Sequence, residues 1–266
     1  MHARPLRAAL AVACALVAGP APGDPAPPLR VCADPDNLPF SNQRGEGFEN
    51  RIAEVVAKDL GVPLSYFWWP HQRGLVRRTL GEDRCDVLVG IPRDFGPVLA
   101  TKAYYRTTYV IVSRPELGIR SLDDPALKRL RIGVHLDTPP WAALGERGLM
   151  ANVRGYPLMF DWRDSDGTRR PAKVLEDLRD GAMDVAIVWG PMAGWFAKKN
   201  ALRLAIVPVP DGGRTPMSFE ISMGVRKSDA ALKARLEGAI DRQGAEIEKV
   251  LADYGVPVVA AKGAPP

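Results

Sequence analysis

At 266 residues, with 46% hydrophobic side chains, the chain can bury a sizeable core and suits one or two domains. Its formal charge of +5 is a mild excess without a Lys/Arg block or interleaved aromatics, which excludes a nucleic-acid footprint. No stretch is long and apolar enough to read as a bilayer span.

Residues 1–23 have the layout of a secretory signal peptide. Arg4 and Arg7 precede an uncharged apolar run from Ala8 to Ala18, and Ala21-Pro22-Gly23 offers small residues for cleavage. Lipidation at Cys14 is disfavoured, because the apolar run before it is brief and Ala11 is a poor lead residue. Loss of Arg4 and Arg7 would leave the mature chain at about +3, and an exported, periplasmic protein is expected. Cys32 and Cys85 then remain as an even pair in an oxidising compartment.

The first apolar run, Leu29-Arg30-Val31, ends in the turn-rich stretch Ala33 to Asn42. An amphipathic helix follows from Gly47, then a run from Leu64 to Trp69 and another from Asp86 to Gly90. That alternation predicts a β-α-β-α-β unit with a parallel sheet. Ligands of open α/β sheets sit beyond the carboxyl ends of the strands, where Asp34, Asn37, Phe40 and Arg93 fall. Cys32 ends the first strand and Cys85 starts the third. Those strands are neighbours in flavodoxin-like order, so a disulfide is favoured over two buried thiols.

Farther along, Thr107 to Ser113 reads as a buried strand, and Arg131 to Leu136 as another. Thr138-Pro139-Pro140 opens a helix running through Trp141 to Leu149, with Pro in its first turn. A strand from Val153 to Phe160, a polar loop over 161–171 and a helix from Ala172 to Gly181 come next. The strand Asp184 to Gly190, the helix Met192 to Lys199 and strands from Leu202 to Pro210 and Phe219 to Val225 follow. One long amphipathic helix is predicted from Ala230 to Leu251.

The halves echo each other: Leu29 to Pro35 matches Arg131 to Asp137, and Arg84 to Gly90 matches Ala182 to Gly190. The expected architecture is therefore α/β, with two doubly wound lobes and a cleft between them. Residues 27–112 plus 221–258 form the first lobe, 113–220 the second, and 259–266 a loose tail. Two strands crossing between the lobes would make a hinge. His135, Thr138 and Trp189 of the second lobe join the cleft candidates.

Catalytic chemistry is not legible. His71 and His135 have no companions at metal-ligand spacing. Asp34 with Asp36 could pair for acid/base work, but Asp-Pro-Asp-Asn more often serves a turn. There is no Cys-x-x-Cys, no Gly-x-Ser-x-Gly and no phosphate-cradling glycine loop, so neither a metal nor a cofactor is expected.

Several motifs, taken in order, carry a resemblance. They include Arg30-Val31-Cys32-Ala33-Asp34, Leu38-Pro39-Phe40, Gly47-Phe48-Glu49 with Ala53, Asp86 to Gly90, Ala103-Tyr104-Tyr105, Thr138-Pro139-Pro140 and Asp184 to Gly190. Together, from about Leu29 to Gly255, the chain resembles the quinoprotein-dehydrogenase-associated binding proteins, the MxaJ/XoxJ family of type II periplasmic binding protein fold. The resemblance implies a non-catalytic accessory protein that binds a PQQ-dependent methanol dehydrogenase and helps assemble, mature or activate it. Its cytochrome c is a second candidate partner. The alternative is a receptor or carrier for a small organic ligand or cofactor.

Departures from amino-acid receptors of this fold matter. In those relatives an Arg after the third strand clamps the ligand carboxylate, where this chain has Gly96-Pro97 with Arg93 nearby. Their ammonium-binding Asp is replaced by Trp189-Gly190, and a buried ammonium without a counter-charge costs several kcal/mol, on the order of the ion desolvation penalty. Amino-acid capture is not expected. Trp69, Arg73, Tyr104, Tyr105, Trp141 and Trp195 are the candidates for a partner surface, because aromatics and Arg are enriched at interfaces.

Overall fold

The computed structural model describes residues 26–159 and 170–260. The signal-peptide reading, most of the polar loop from 161 and nearly all of the expected tail lie outside the described residues.

The first lobe runs β1 (Leu29–Ala33), β2 (Asp36–Asn37), β3 (Ser41–Asn42), α1 (Phe48–Asp59), β4 (Leu64–Trp68), α2 (Leu75–Arg78), β5 (Val87–Pro92) and β6 (Leu99–Ala100). The chain then crosses on β7 (Tyr105–Ser113). The second lobe holds β8 (Ile132–His135), α3 (Pro139–Glu146), β9 (Val153–Tyr156), α4 (Lys173–Arg179), β10 (Val185–Trp189), α5 (Gly190–Lys199) and β11 (Ala205–Pro208). The return strand is β12 (Ser218–Val225), after which α6 (Ala230–Arg242) and α7 (Gly244–Asp253) close the first lobe.

The sheet order is β4-β1-β5-β12-β7-β10-β8-β9, with β11 on β7 and β6 on β12. Strands β4, β1 and β5 are parallel, as are β10, β8 and β9. Antiparallel β12 and β7 stand between these two sets. Along β7, Tyr105 to Thr108 pair with β12, whereas Tyr109 to Ser113 pair with β10. One continuous strand thus serves both lobes.

Periodicity explains the core. In α1, Phe48, Ile52, Ala53, Val56 and Ala57 fall on one stripe and are all buried, against β-strand residues such as Val31, Val87 and Met223. Full burial of each large apolar side chain here contributes about 1.5–3 kcal/mol. The second lobe buries both faces of its sheet, with Ile132, Val134 and Ile187 on one side and Val110, Val112 and Val188 on the other. Such strands read as apolar runs because neither face meets water.

Two elements depart from the expectation. The C-terminal helix is two helices, broken at Gln243. Gly244 is a poor helix former, and Gln243 Nε2 donates to Asp59 Oδ1 at 2.8 Å at the end of α1, so both halves pack against that helix. The strand expected through Phe160 stops at Tyr156, where Pro157 cannot donate to a ladder.

Cys32 and Cys85 form a disulfide, with Cα atoms 5.4 Å apart and a sequence separation of 53. Both are buried, beside Leu80 and Leu88, and Cys32 sits on β1 directly next to Leu88 of β5.

Candidate functional site

The turn after β1 is built by short polar side chains. Ser41 Oγ accepts from the Asp34 amide at 3.1 Å and donates to the Asp34 carbonyl at 2.8 Å. The Asp34 carboxylate accepts the amides of Asp36 at 2.9 Å and His71 at 2.6 Å. Asp34 therefore ties two loops together, and its turn role uses both oxygens.

This turn is clamped onto the start of α1. The amides of Phe48 and Glu49 donate to the carbonyls of Pro39 and Phe40 at 2.8 and 3.0 Å. A Cβ on Gly47 would lie 2.0 Å from the Phe40 carbonyl oxygen, so only glycine permits the approach. The clamp sends the Glu49 side chain toward β5. There its carboxyl fills the space beside Gly90, whose own Cβ would come within 1.8 Å of Glu49 Oε1.

Between the lobes lies a cavity of about 330 Å³. The first lobe presents Asp34, Asn37, Phe40, Glu49 and Trp69 to it, and the second presents His135, Pro139, Pro171 and Met192. The crossing strands add an aromatic cluster. Tyr109 of β7 and Trp189 at the end of β10 meet edge to face at 5.0 Å, and Phe219 of β12 packs on Trp189 at 5.9 Å. Edge-to-face packing of this kind fixes the ring orientations.

The electrostatics are one-sided. Among the described residues, no Lys or Arg lines the cavity. Burial, reinforced by the Asp34 charge, pushes the Glu49 carboxyl up to about 8. Its place in the first turn of α1 favours the anion, but that effect of a few tenths to about 1 kcal/mol loses to desolvation. Burial also raises Asp34, opposed by its two amide donors, and lifts the Tyr109 hydroxyl to about 12. His135 is lowered by burial, opposed by the Pro171 carbonyl. Its Nε2 lies 2.9 Å from that carbonyl, which can only accept, so Nε2 carries the proton and Nδ1 is a bare acceptor. Nδ1 is buried and meets no partner among the described residues.

Of the residues singled out in the sequence, Asp34, Asn37, Phe40, His135 and Trp189 line the cavity. Arg93 does not: it pairs with Glu220 at 2.8 Å on the exposed surface. Thr138 is also off the wall, with its hydroxyl donating to the His135 carbonyl at 2.7 Å to start α3. Trp69, expected on a partner surface, is instead a cavity wall stacked on Phe67. Tyr105 is corrected too, because it is buried in the first lobe's core. Tyr104 keeps its hydroxyl buried beside it. Arg73 is exposed, while Trp141 packs partly on the second lobe's core and Trp195 lies under Lys199. Glu49, Tyr109 and Phe219 escaped the sequence reading. Glu49 sat in a motif read only for resemblance, and the other two face the cleft because their strands cross it. Among the described residues no three metal-ligating side chains come together.

No family model matches the chain. Single relatives do. Protein MoxJ of Methylorubrum extorquens is 34% identical over 247 residues, spanning 87% of this chain and 81% of that protein. Protein MoxJ of Paracoccus denitrificans is 30% identical over 247 residues, spanning 87% of this chain and 89% of that protein. The crystal structure of the periplasmic binding protein XoxJ from Methylobacterium extorquens AM1 is similar at a TM-score of 0.71 and 37% identity, covering 88% of this chain and all of that one.

Proposed function

The chain belongs to the MoxJ family and has the two-lobed type II periplasmic binding protein fold, and on that premise we propose that it is an exported, non-catalytic accessory protein of a PQQ-dependent methanol dehydrogenase. It binds the dehydrogenase in the periplasm and helps assemble, mature or activate it, with the associated cytochrome c as a second candidate partner. The observation that carries this reading is the likeness to MoxJ along nearly the whole mature chain.

The cleft lends support by what an amino-acid receptor would need there. The described part of its wall holds no guanidinium for a ligand carboxylate, and Trp189, which the sequence resemblance sets at the ammonium partner's position in such receptors, is part of that wall. The partner surface would draw on Arg73, Trp141 and Trp195. With the mature chain at about +3, association with an acidic partner would weaken with salt. Deleting the gene tests the role: dehydrogenase activity in cells grown on methanol should fall and return on complementation. Unchanged activity would count against it.

A receptor or carrier reading is favoured by one specific observation, the formed cavity of about 330 Å³, which lies within the range of small-molecule sites.

A further inference from the structure

We propose that the interlobe cleft binds a small organic ammonium ion with an apolar body and no carboxylate, its N–H groups donating to Glu49 of the first lobe and His135 of the second. An accessory protein and a receptor could each carry such a site, so the proposal does not depend on the dehydrogenase reading.

Glu49 comes first. Its carboxyl lines the cavity and, among the described residues, meets no hydrogen-bond donor or cation. Glu49 is half-buried at the cavity wall, and a polar group there without a protein partner is costlier than an apolar side chain would be. Yet Gly90 leaves its Cβ space to that carboxyl. The group is accommodated, and what it lacks is a donor.

His135 is the second and independent observation, from the opposite lobe. The residue is 1% exposed and lies on the cavity wall, and its Nδ1 is an acceptor that meets no partner among the described residues. Trp69 Nε1 is a buried donor on the wall that also meets no partner among the described residues, but Glu49 and His135 offer acceptors from the two lobes, and among the described residues neither lobe offers a cation there. A ligand that satisfies them must donate, and a positive charge on it answers Glu49 and Asp34 together. Among the described residues, an anionic group on the ligand would meet two carboxyls and no counter-charge.

The aromatic cluster completes the match. Tyr109, Trp189 and Phe219 present ring surface to the cavity, and aromatic walls favour a cation over a neutral body of the same shape. Phe40 and Trp69 extend the apolar wall.

Binding displaces a proton. Near neutral pH Glu49 holds its proton in the empty cleft, and pairing with an ammonium ion releases that proton to the buffer as the carboxylate forms. Asp34, His71, His135, Tyr104, Tyr105 and Tyr109 are the other titratable groups around the site among the described residues.

Calorimetric titration of the purified protein with benzylamine, benzyl alcohol and benzoate varies the head group on one body. Benzylamine should bind about tenfold or more tighter than the alcohol, the step expected of a charged hydrogen bond, and benzoate should give no binding heat. Release of about one proton per benzylamine should appear on comparing buffers of different ionisation heat near pH 7. Glu49→Gln should remove that proton release and about tenfold of the benzylamine affinity, leaving the alcohol unchanged. His135→Phe, which keeps the ring and removes the acceptor, should weaken benzylamine alone, so the test survives if Glu49→Gln fails to fold. Equal binding of the three probes, no benzylamine binding at about 1 mM, or His135→Phe without effect would overturn the proposal.

Discussion

Gly90 and Glu49 occupy one space: the Cβ that Gly90 lacks would stand 1.8 Å from the Glu49 carboxyl oxygen. Gly90 also has φ of 79°, in the left-handed region that side chains resist. Strand β5 thereby accepts a helix-borne carboxyl at the heart of the cleft.

Gly90→Ala should destabilise the fold by at least about 1–2 kcal/mol from the backbone conformation alone, before any clash is counted. Adding Glu49→Ala should recover the steric part and leave the backbone part. Urea unfolding of both singles and the double variant measures the coupling. Simple additivity would show that the two side-chain positions do not compete.

Glu49 also predicts a pH dependence. Its carboxyl titrates near 8 in the folded protein against an ordinary 4.5, so between these values the folded state binds one proton more than the unfolded state. A raised acid contributes its stability fully below 4.5 and loses it as pH rises toward 8, with a slope of at most about 1.4 kcal/mol per pH unit. Glu49→Gln cannot titrate, so the stability of this variant relative to the natural chain should climb across that window. A constant difference from pH 5 to 8 in urea melts would mean that Glu49 ionises normally.

The bridge between Cys32 and Cys85 spans 53 residues, which corresponds to about 4 kcal/mol in the chain-entropy account. Replacing both cysteines by alanine should lower the unfolding free energy by an amount of that order and lower the melting temperature by several degrees or more. Alkylation without reduction should label neither residue. A double variant as stable as the natural chain would remove the bridge from the account of stability.

Free amino acids should leave the melting temperature unchanged, because the described cleft wall carries carboxyls and no cation. Saturation at a hundred times Kd would stabilise by about 2.7 kcal/mol, a shift of a few degrees that a thermal melt resolves. A clear shift with any of them would mean that a carboxylate finds a cation in the cleft after all.

The fold was legible because its signals are local and repeated. Apolar runs, the stripe of α1 and the echo between the two halves each follow from periodicities that do not depend on distant contacts. The disulfide followed from strand adjacency. Legibility stopped where tertiary partners decide: Asp59 helps set the break between α6 and α7, and Glu220 takes Arg93 away from the cleft. The site was half legible for the same reason. Strand-end residues such as Asp34 and Trp189 announce themselves, whereas Tyr109 and Phe219 face the cavity only because β7 and β12 cross between the lobes. Tyr105, four residues before Tyr109, is core.

The central claim is association with a methanol dehydrogenase. Tagged protein recovered from the periplasm of methanol-grown cells measures it directly, with washes at low and then high salt. The dehydrogenase should be retained at low salt and released as salt rises, in keeping with the mild basic excess of the sequence. Recovery of the tagged protein without any dehydrogenase at low salt would contradict the claim.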